Sequence, residues 1–338
     1  MNGSRILIAA TLVFSMGSTA FADNIVKLKF GSHLPANHPG VTEDAAIFMK
    51  TAKELSNNTI DFDFYPAQQA GKANQMFDLV KAGAVDLGAI SSSVVSTDKL
   101  PIMGLWDVPG LVKDTCSIVK AMLVLGAPGG DVYEKGFKPN GVRALGYEPF
   151  PPFGLQSRVP IKSIDDLKGL KIRAAGGFTE LAVQKLGGVP VKMAAPEVFQ
   201  SLQRGTVDAS IFAFLSSKSY DLPSIARYGA TGFGFSTGGN LLMISERKFQ
   251  SLSADQQKAL IEAGKKASEN WCKYADQTES KDIEEMRANG LDIHTWTPDE
   301  VAKLKSTLAD LPTEWAKSLD ARGLSGSLVL EKYIQAVK

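Results

Sequence analysis

The segment 168-KGLKIRAAGG-177 carries the residue type best suited to bind an anion. Its period-2 alternation places Ile172 and Ala174 on one face of a strand, and Lys171 and Arg173 on the other. One interpretation leaves both cations on a solvated sheet face. In the other interpretation, the side chain of Arg173 points into a cleft and its guanidinium binds an anion. The small residues that follow it would then leave space for that anion. The segment alone leaves both interpretations open.

A second segment matches a catalytic pattern. The residues Gly234-Phe-Ser236-Thr-Gly238 fit the nucleophile elbow G-x-S-x-G. A hydrolase would need an acid and then a histidine after the serine, and only His294 is available. The match also lies in a glycine-rich loop, where chance matches are common. A periplasmic serine hydrolase using Ser236 is therefore the weaker alternative.

Metal, cofactor and nucleic-acid signals are missing from the sequence. The three histidines, His33, His38 and His294, have no zinc-like spacing. The glycine-rich run 126–130 lacks the lysine and spacing of a P-loop, and no dinucleotide fingerprint occurs. No basic stripe suggests nucleic acid. We expect neither a metal nor a cofactor.

The elements around these residues repeat one plan. Strand patterns alternate with helical ones twice, which predicts two α/β lobes; the predicted strands are 26–31, 60–65 and 85–90, then 170–174, 189–193 and 207–212. In both halves a helix ends at Gly-x-Val-Asp and a strand follows, at 83–86 and at 205–208.

Two segments and one helix are predicted to join the lobes. The proline-containing segment 145–160 indicates an extended crossover, and the glycine-rich segment 229–240 the return; two crossings make a hinge. A capping box at Ser253 opens a helix that runs to about Asn289, on the order of 50 Å long, which would brace both lobes. The predicted division is lobe I at 23–150 with about 239–278, and lobe II at 151–238 with about 279–338.

The N-terminus has the form of an export signal. Arg5 precedes the apolar run 6–14, and Ala20-Phe-Ala22 predicts cleavage after Ala22. Removal of Arg5 lowers the basic count from 37 to 36, which equals the 36 acidic residues. A neutral chain is not drawn to nucleic acid or anionic lipid. We expect an exported, periplasmic protein that is not itself embedded in the membrane.

Cys116 and Cys272 are the only cysteines. In an oxidising compartment they either form the one possible disulfide or remain as two small buried apolar side chains. The sequence does not decide between these states.

These features together describe a two-lobed extracytoplasmic solute receptor. The chain resembles the DctP-type substrate-binding proteins of TRAP transporters over nearly all of its predicted mature length. The resemblance rests on LKFGSHLPANHP, on FYPAQQAGKANQMFDLVKAGAVDLG, and on SIDDLKGLKIRAAGG with LGGVPVKMAAPEVFQSLQRGTVDA. It implies a type II-like periplasmic binding fold, in which each lobe is a mixed sheet flanked by helices.

The resemblance assigns a role to the arginine. In such receptors the arginine of the G-L-K-x-R strand, here Arg173, pairs with a substrate carboxylate, which suits a planar guanidinium. Many sialate-binding members have a second arginine where this chain has Phe153. Gln156 and Arg158 are nearby candidates for polar contact, and a structural role for Arg158 is equally open.

Other positions complete the predicted ligand set. They are polar or aromatic residues near strand ends, namely His33, Ser91, Ser92, Asn240, Phe212 and Trp106. Aromatic walls with one firm cation predict a small organic monocarboxylate, aromatic or hydroxylated. A zwitterion or small amine held by cation–π contact is the alternative.

The resemblance also implies partners. A TRAP receptor closes its hinge around the solute and delivers it to a small and a large membrane permease subunit, driven by an ion gradient. A ligand sensor that reports to a kinase is the rival role for the same fold.

Overall fold

A computed structural model describes residues 25–338; the predicted export signal, 1–22, lies outside this range. In this described range, eleven strands form two sheets. The strands are β1 (Val26–Gly31), β2 (Ile60–Tyr65), β3 (Leu87–Ser91), β4 (Val142–Pro149), β5 (Gly154–Ser157), β6 (Lys171–Ala174), β7 (Val189–Lys192), β8 (Ala209–Phe212), β9 (Tyr228–Thr231), β10 (Gly239–Ser245) and β11 (Asp292–Thr295).

Helices cover the faces of both sheets. They are α1 (Ala46–Leu55), α2 (Met76–Ala82), α3 (Ser92–Val95), α4 (Thr115–Leu125), α5 (Phe178–Lys185), α6 (Val198–Gln203), α7 (Phe214–Ser217), α8 (Glu246–Gln250), α9 (Ala254–Ala288), α10 (Pro298–Leu308), α11 (Leu311–Asp320) and α12 (Gly326–Ala336). Within residues 25–338, none of them combines the length and apolarity that a membrane-spanning helix needs.

The first sheet has the strand order β2-β1-β3-β10-β4. Strands β1, β2 and β3 are parallel, as the βαβ pattern predicts, while β10 runs antiparallel between β3 and β4. All seven residues of β10 are buried. The sequence predicted a glycine-rich crossover at 229–240, which includes the first residues of β10, and did not predict this strand.

The second sheet has the order β11-β9-β5-β8-β6-β7. Strands β6, β7 and β8 are parallel, and β5 is antiparallel to β8 and β9. Both sheets are therefore mixed and flanked by helices, which confirms the predicted fold class. Ligands of such sheets bind beyond the carboxyl ends of the parallel strands.

The chain crosses between the sheets at 150–153 and returns at 232–238. The two crossovers are bonded to each other, because the Phe153 amide donates to the Ser236 carbonyl (2.7 Å) and the Phe235 amide to the Phe153 carbonyl (3.0 Å). The 35-residue helix α9 packs on α1 and β4 of the first lobe and on α7 and β11 of the second. The predicted bracing helix is thus present, with the Ser253 capping box at its start.

The close packing of α9 on β4 requires a glycine. A Cβ at Gly264 would lie 1.9 Å from the backbone oxygen of Leu145. The sheet edge is bonded to the same turn, since the Tyr147 amide donates to Ser268 Oγ (2.8 Å), whose hydroxyl donates to the Gly264 carbonyl (2.8 Å).

Substituting Gly264→Ala will therefore destabilise the protein by about 2–3 kcal/mol, because backbone atoms cannot move aside as a side chain can. Urea unfolding measures the loss. The exposed neighbour Lys265→Ala is the matched control. Equal midpoints for the two variants would contradict this account of the packing.

A disulfide fastens α4 to α9. Cys116 and Cys272 are bonded across 156 positions of sequence, so the first of the two alternatives for the cysteines is the correct one. The carboxylate of Asp276 supports the same junction by accepting hydrogen bonds from the Thr115 amide (2.7 Å) and the Cys116 amide (3.2 Å). The start of α4 is thus attached to α9 both covalently and by a helix cap.

Candidate ligand-binding site

Arg173 is buried between the two lobes. Arg173 is only 3% exposed, whereas Lys171 on the same strand is exposed. The interpretation that placed both cations in solvent is therefore wrong for Arg173. Its Nε donates to the Met193 carbonyl (3.0 Å) and its Nη1 to the Ile211 carbonyl (2.9 Å). These two bonds hold the guanidinium at the carboxyl ends of β6 and β8.

No carboxylate within residues 25–338 forms a salt bridge with Arg173, and its Nη2 has no acceptor among these residues. The carboxylates of Glu197 and Asp107 act on its charge only at longer range. Burial lowers its pKa to about 10, which leaves it a cation at neutral pH. A buried cation without a counter-ion is costly, and a ligand carboxylate would supply both the charge and the missing acceptors.

A cavity between the two lobes adjoins this guanidinium. Aromatic rings form much of its wall. Phe150 and Phe153 are stacked with ring centroids 6.2 Å apart, and Phe212 meets Tyr220 edge to face at 5.5 Å. The Arg173 guanidinium lies 5.4 Å from the Phe212 ring centroid. The wall can therefore bury a flat or apolar body beside a charged end.

The first lobe supplies most of the polar wall. Its contributors follow β1, end β3, lie in α3 or begin β10, and they are His33, His38, Ser91, Ser93 and Asn240. They meet because Asn240 of β10 pairs with Ser91 of β3 in the sheet register, and β1 is the parallel neighbour of β3. Residues distant in sequence thus come together at one edge of the first sheet.

A hydrogen bond across the cleft joins the lobes. His38 Nδ1 accepts from the Gly40 amide (2.9 Å), so the ring proton is on Nε2, which donates to Ser216 Oγ (3.0 Å). Burial keeps this ring neutral by lowering its pKa to about 3. Because the Ser216 hydroxyl accepts from His38, its own hydrogen is free for another partner. The lobes also meet where Lys192 Nζ donates to Thr97 Oγ1 (3.0 Å).

Small residues after Arg173 permit this approach. Gly176 has φ +142°, and a Cβ there would lie 2.8 Å from the Ser93 carbonyl of the other lobe. The small side chains predicted to leave room therefore do so for the backbone of the opposite lobe as well as for the cavity, which Ala175 lines.

Six of the ten residues proposed from sequence line this cavity: Arg173, His33, Ser91, Phe153, Phe212 and Asn240. Sequence reasoning missed His38, Phe150, Ser216 and Tyr220 as wall residues. The only local signal for two of them was an aromatic or imidazole ring beside a proline, in NHPG and in EPFPPF.

Two of the remaining four lie near the cavity without lining it. Ser92 is the first residue of α3, and its buried hydroxyl has no partner in the described chain. Trp106 is buried against Tyr147, with ring centroids 6.3 Å apart, behind Gly239. Neither residue is part of the cavity wall, and a ligand contact for either of them stays a prediction.

The other two lie in or just after β5. Gln156 is buried within the second sheet, and its amide reaches only the Ala213 carbonyl at 3.5 Å. Arg158 is exposed and follows the end of β5 opposite the cavity, where its amide donates to the Asp208 carbonyl. Neither side chain lines the cavity. Gln156 lies directly behind Ala213, which does line it, and β5 carries Arg158 away from the Phe212 end.

The serine of the elbow-like motif, Ser236, forms structural hydrogen bonds. Ser236 Oγ donates to Asp107 Oδ1 (2.5 Å), which also accepts from Ser93 Oγ (2.9 Å). His294 pairs with Glu300 instead (3.1 Å). Ser236 therefore ties the return crossover to the first lobe. Within residues 25–338, no cluster of histidine, cysteine or acidic side chains is arranged to hold a metal.

A buried acidic pair lies behind the first-lobe wall. Burial raises the pKa of Asp44 to about 7 and that of Glu148 well above its usual value, and repulsion between the two adds to the shift in Glu148. A carboxyl group with a raised pKa keeps its proton in the folded state where the unfolded chain has lost it. Its stabilisation is complete below the unfolded pKa, about 4–4.5, and is lost as pH rises through the folded pKa.

The substitution Glu148→Gln should therefore flatten the decline in unfolding free energy between pH 5 and pH 8. Each unit of pKa elevation removed corresponds to about 1.4 kcal/mol. Urea unfolding across this range measures the slope, with Glu262→Gln on the exposed face of α9 as control. Parallel curves for wild type and Glu148→Gln would contradict a protonated pair.

The two lobes, the cavity between them and its buried cation define a class: a two-lobed receptor for small solutes. The family model described as bacterial extracellular solute-binding protein, family 7 (DctP) matches residues 30–318. The chain belongs to this family, which confirms the resemblance to TRAP-transporter receptors; its members are solute-binding proteins rather than enzymes.

Relatives and solved structures agree with this placement. The 2,3-diketo-L-gulonate-binding periplasmic protein YiaO of Escherichia coli K12 is 28% identical over 86% of each chain. A marine metagenome TRAP solute-binding protein specific for aromatic acids, solved with 3-hydroxybenzoate, has a TM-score of 0.84 at 22% identity, covering 93% of this chain and 98% of that one. A Rhodoferax ferrireducens TRAP solute-binding protein, solved with copurified benzoate, has a TM-score of 0.82 at 20% identity, covering 92% and 97%.

Proposed function

We propose that this protein is the periplasmic receptor of a TRAP transporter for a small organic monocarboxylate with an aromatic or hydroxylated body. The observation that carries the ligand class is the buried, unpaired Arg173 beside a ring-lined cavity. The ligand carboxylate pairs with Arg173 and accepts the free hydrogen of Ser216. The rings Phe150, Phe153 and Phe212 cover the body of the ligand.

Closure of the lobes accompanies binding. The crossovers at 150–153 and 232–238 act as the hinge, and the division at these segments into lobes I and II is part of the proposal. Ligand stabilises the closed form only by binding it more tightly than the open one. Contacts from both lobes, Arg173 on one and Asn240 on the other, provide that difference in affinity.

A thermal-shift screen tests the ligand class. Aromatic and hydroxylated monocarboxylates should raise the melting temperature, and neutral amides of the same acids should not, because a bound ligand stabilises the folded state by mass action. Stabilisation by amines alone would refute the carboxylate assignment. Stabilisation only by acids that also carry an amine would favour the zwitterion alternative.

Delivery to the membrane requires a separate test. We propose export with cleavage after Ala22, and release of the ligand to a small and a large permease subunit. Uptake of a labelled acid by vesicles that contain both subunits should depend on added receptor and an ion gradient. If the neighbouring genes encode a sensor kinase instead, and uptake is independent of this protein, the sensory role replaces transport.

A further inference from the structure

Asn240 presents an unsatisfied oxygen at the cavity wall. The residue is 1% exposed, lines the cavity, and donates through Nδ2 to Glu148 Oε2 (3.0 Å). Its Oδ1 is buried and has no hydrogen-bond partner among residues 25–338. Since buried amide oxygens are nearly always hydrogen-bonded, a ligand donor is the partner that this atom lacks.

His33 offers a second unsatisfied atom on the same wall. Its Nδ1 is buried without a partner in the described chain, and its ring interacts with the backbone carbonyl of Ala89. We assign the ring proton to Nε2, which leaves a lone pair on the unpartnered Nδ1. Burial lowers the pKa of His33 to about 4, which keeps this acceptor available at neutral pH.

Glu148 fixes the orientation of the Asn240 amide. The two residues are directly paired between β10 and β4. The carboxyl group is confined, because a Cβ at Gly40 would lie 1.8 Å from Glu148 Oε1. In the described chain no lysine or arginine forms a salt bridge with it. Oε2 of Glu148 accepts from Nδ2 of Asn240, which leaves Oδ1 for the ligand.

We propose that Asn240 Oδ1 and His33 Nδ1 form an acceptor pair that selects organic acids carrying a hydroxyl or N–H group, with Glu148 as the positioning residue. This rests on the proposed function, in which Arg173 holds the carboxylate from the second lobe. The acceptor pair on the first lobe then binds the hydroxyl or N–H group of the same ligand. The receptor discriminates between acids of equal charge and size by whether they donate a hydrogen bond, since an acid without a donor leaves both acceptors unpaired.

Calorimetry with matched ligands tests the acceptor pair. The probes are 2-, 3- and 4-hydroxybenzoate, each compared with the fluorobenzoate of the same substitution, and lactate compared with propionate. Fluorine approximates the size of a hydroxyl group but donates no hydrogen bond. In wild type, the donor member of at least one pair should bind 10-fold or more tightly. In Asn240→Leu this ratio should fall to about 1–2.

Further variants separate positioning from folding. Glu148→Gln keeps an acceptor for Nδ2 and should retain the ratio, whereas Glu148→Met should reduce it. In Asn240→Leu the buried carboxyl group of Glu148 loses its hydrogen-bond partner, which could itself cause misfolding. The double variant Asn240→Leu with Glu148→Leu removes both partners and avoids that effect. Asn270→Leu, which loses only a bond to the Glu43 carbonyl outside the cavity, is the matched control and should retain the ratio.

Three results would overturn the inference while the proposed function stands: equal binding within every pair, tighter binding of the fluorinated members, or an unchanged ratio in Asn240→Leu. Tighter binding of fluorinated acids would show that the amide faces the cavity with its nitrogen. Failure of every acid to bind wild type would overturn the proposed function as well.

Discussion

Substitution of Arg173 by glutamine will abolish the response to organic acids and leave a folded protein. The guanidinium supplies the only charge that we assign to the ligand carboxylate, and removing one member of a buried ion pair costs about 3–5 kcal/mol. The dissociation constant of the best acid should therefore rise by about 10²–10⁴-fold. Folding survives because a neutral amide is less costly to bury than an unpaired cation.

Calorimetry and melting curves check this result together. Arg173→Lys should also bind weakly, because an ammonium group cannot hold both carboxylate oxygens while bonded to the carbonyls of Met193 and Ile211. Arg158→Gln is the control, an exposed arginine beyond the opposite end of the same sheet, and should bind like wild type. Acid binding that persists in Arg173→Gln would remove the basis of the proposed function.

Loss of the Cys116–Cys272 disulfide will produce the second large effect, this time on stability. The bond closes a loop of 156 positions, for which chain entropy predicts up to about 5 kcal/mol. The double variant Cys116→Ala with Cys272→Ala should melt about 10 °C below wild type, at roughly 2–4 °C per kcal/mol. It should still fold, because the Asp276 cap on α4 remains.

Reduction offers an independent check of the same bond. Wild type treated with a reductant should approach the melting temperature of the double variant, and each single variant should match the double one. Ligand affinity should change little, since neither cysteine lines the cavity. Two free thiols titrated in the purified, unreduced protein would show that the bond does not form.

The sequence predicted the elements whose signals are local. Alternation set the bounds of β1 and β2, which match the predicted 26–31 and 60–65. The capping box at Ser253 and the glycine at 290 bounded α9 to within a residue or two. The strand pattern drew attention to Arg173 but left its surroundings open, and the resemblance to the receptor family favoured its ligand role.

Features that depend on distant pairing could not be predicted. Strand β10 is buried along its whole length because it lies between β3 and β4, and nothing in its own residues specifies that antiparallel insertion. The proximity of Asn240 to Glu148 is a consequence of that register. Likewise, the His38–Ser216 bond exists only when the two lobes meet, 178 positions apart in the chain.

The position of β10 also governs how the polypeptide acquires its shape. Strands β3 and β4 have no direct bond to each other, so the first sheet stays split until residues 239–245 have emerged and inserted. A fragment ending before residue 239 would expose two unpaired strand edges, which invite aggregation. The sheet that begins first along the chain therefore cannot be completed until nearly three quarters of the polypeptide has arrived.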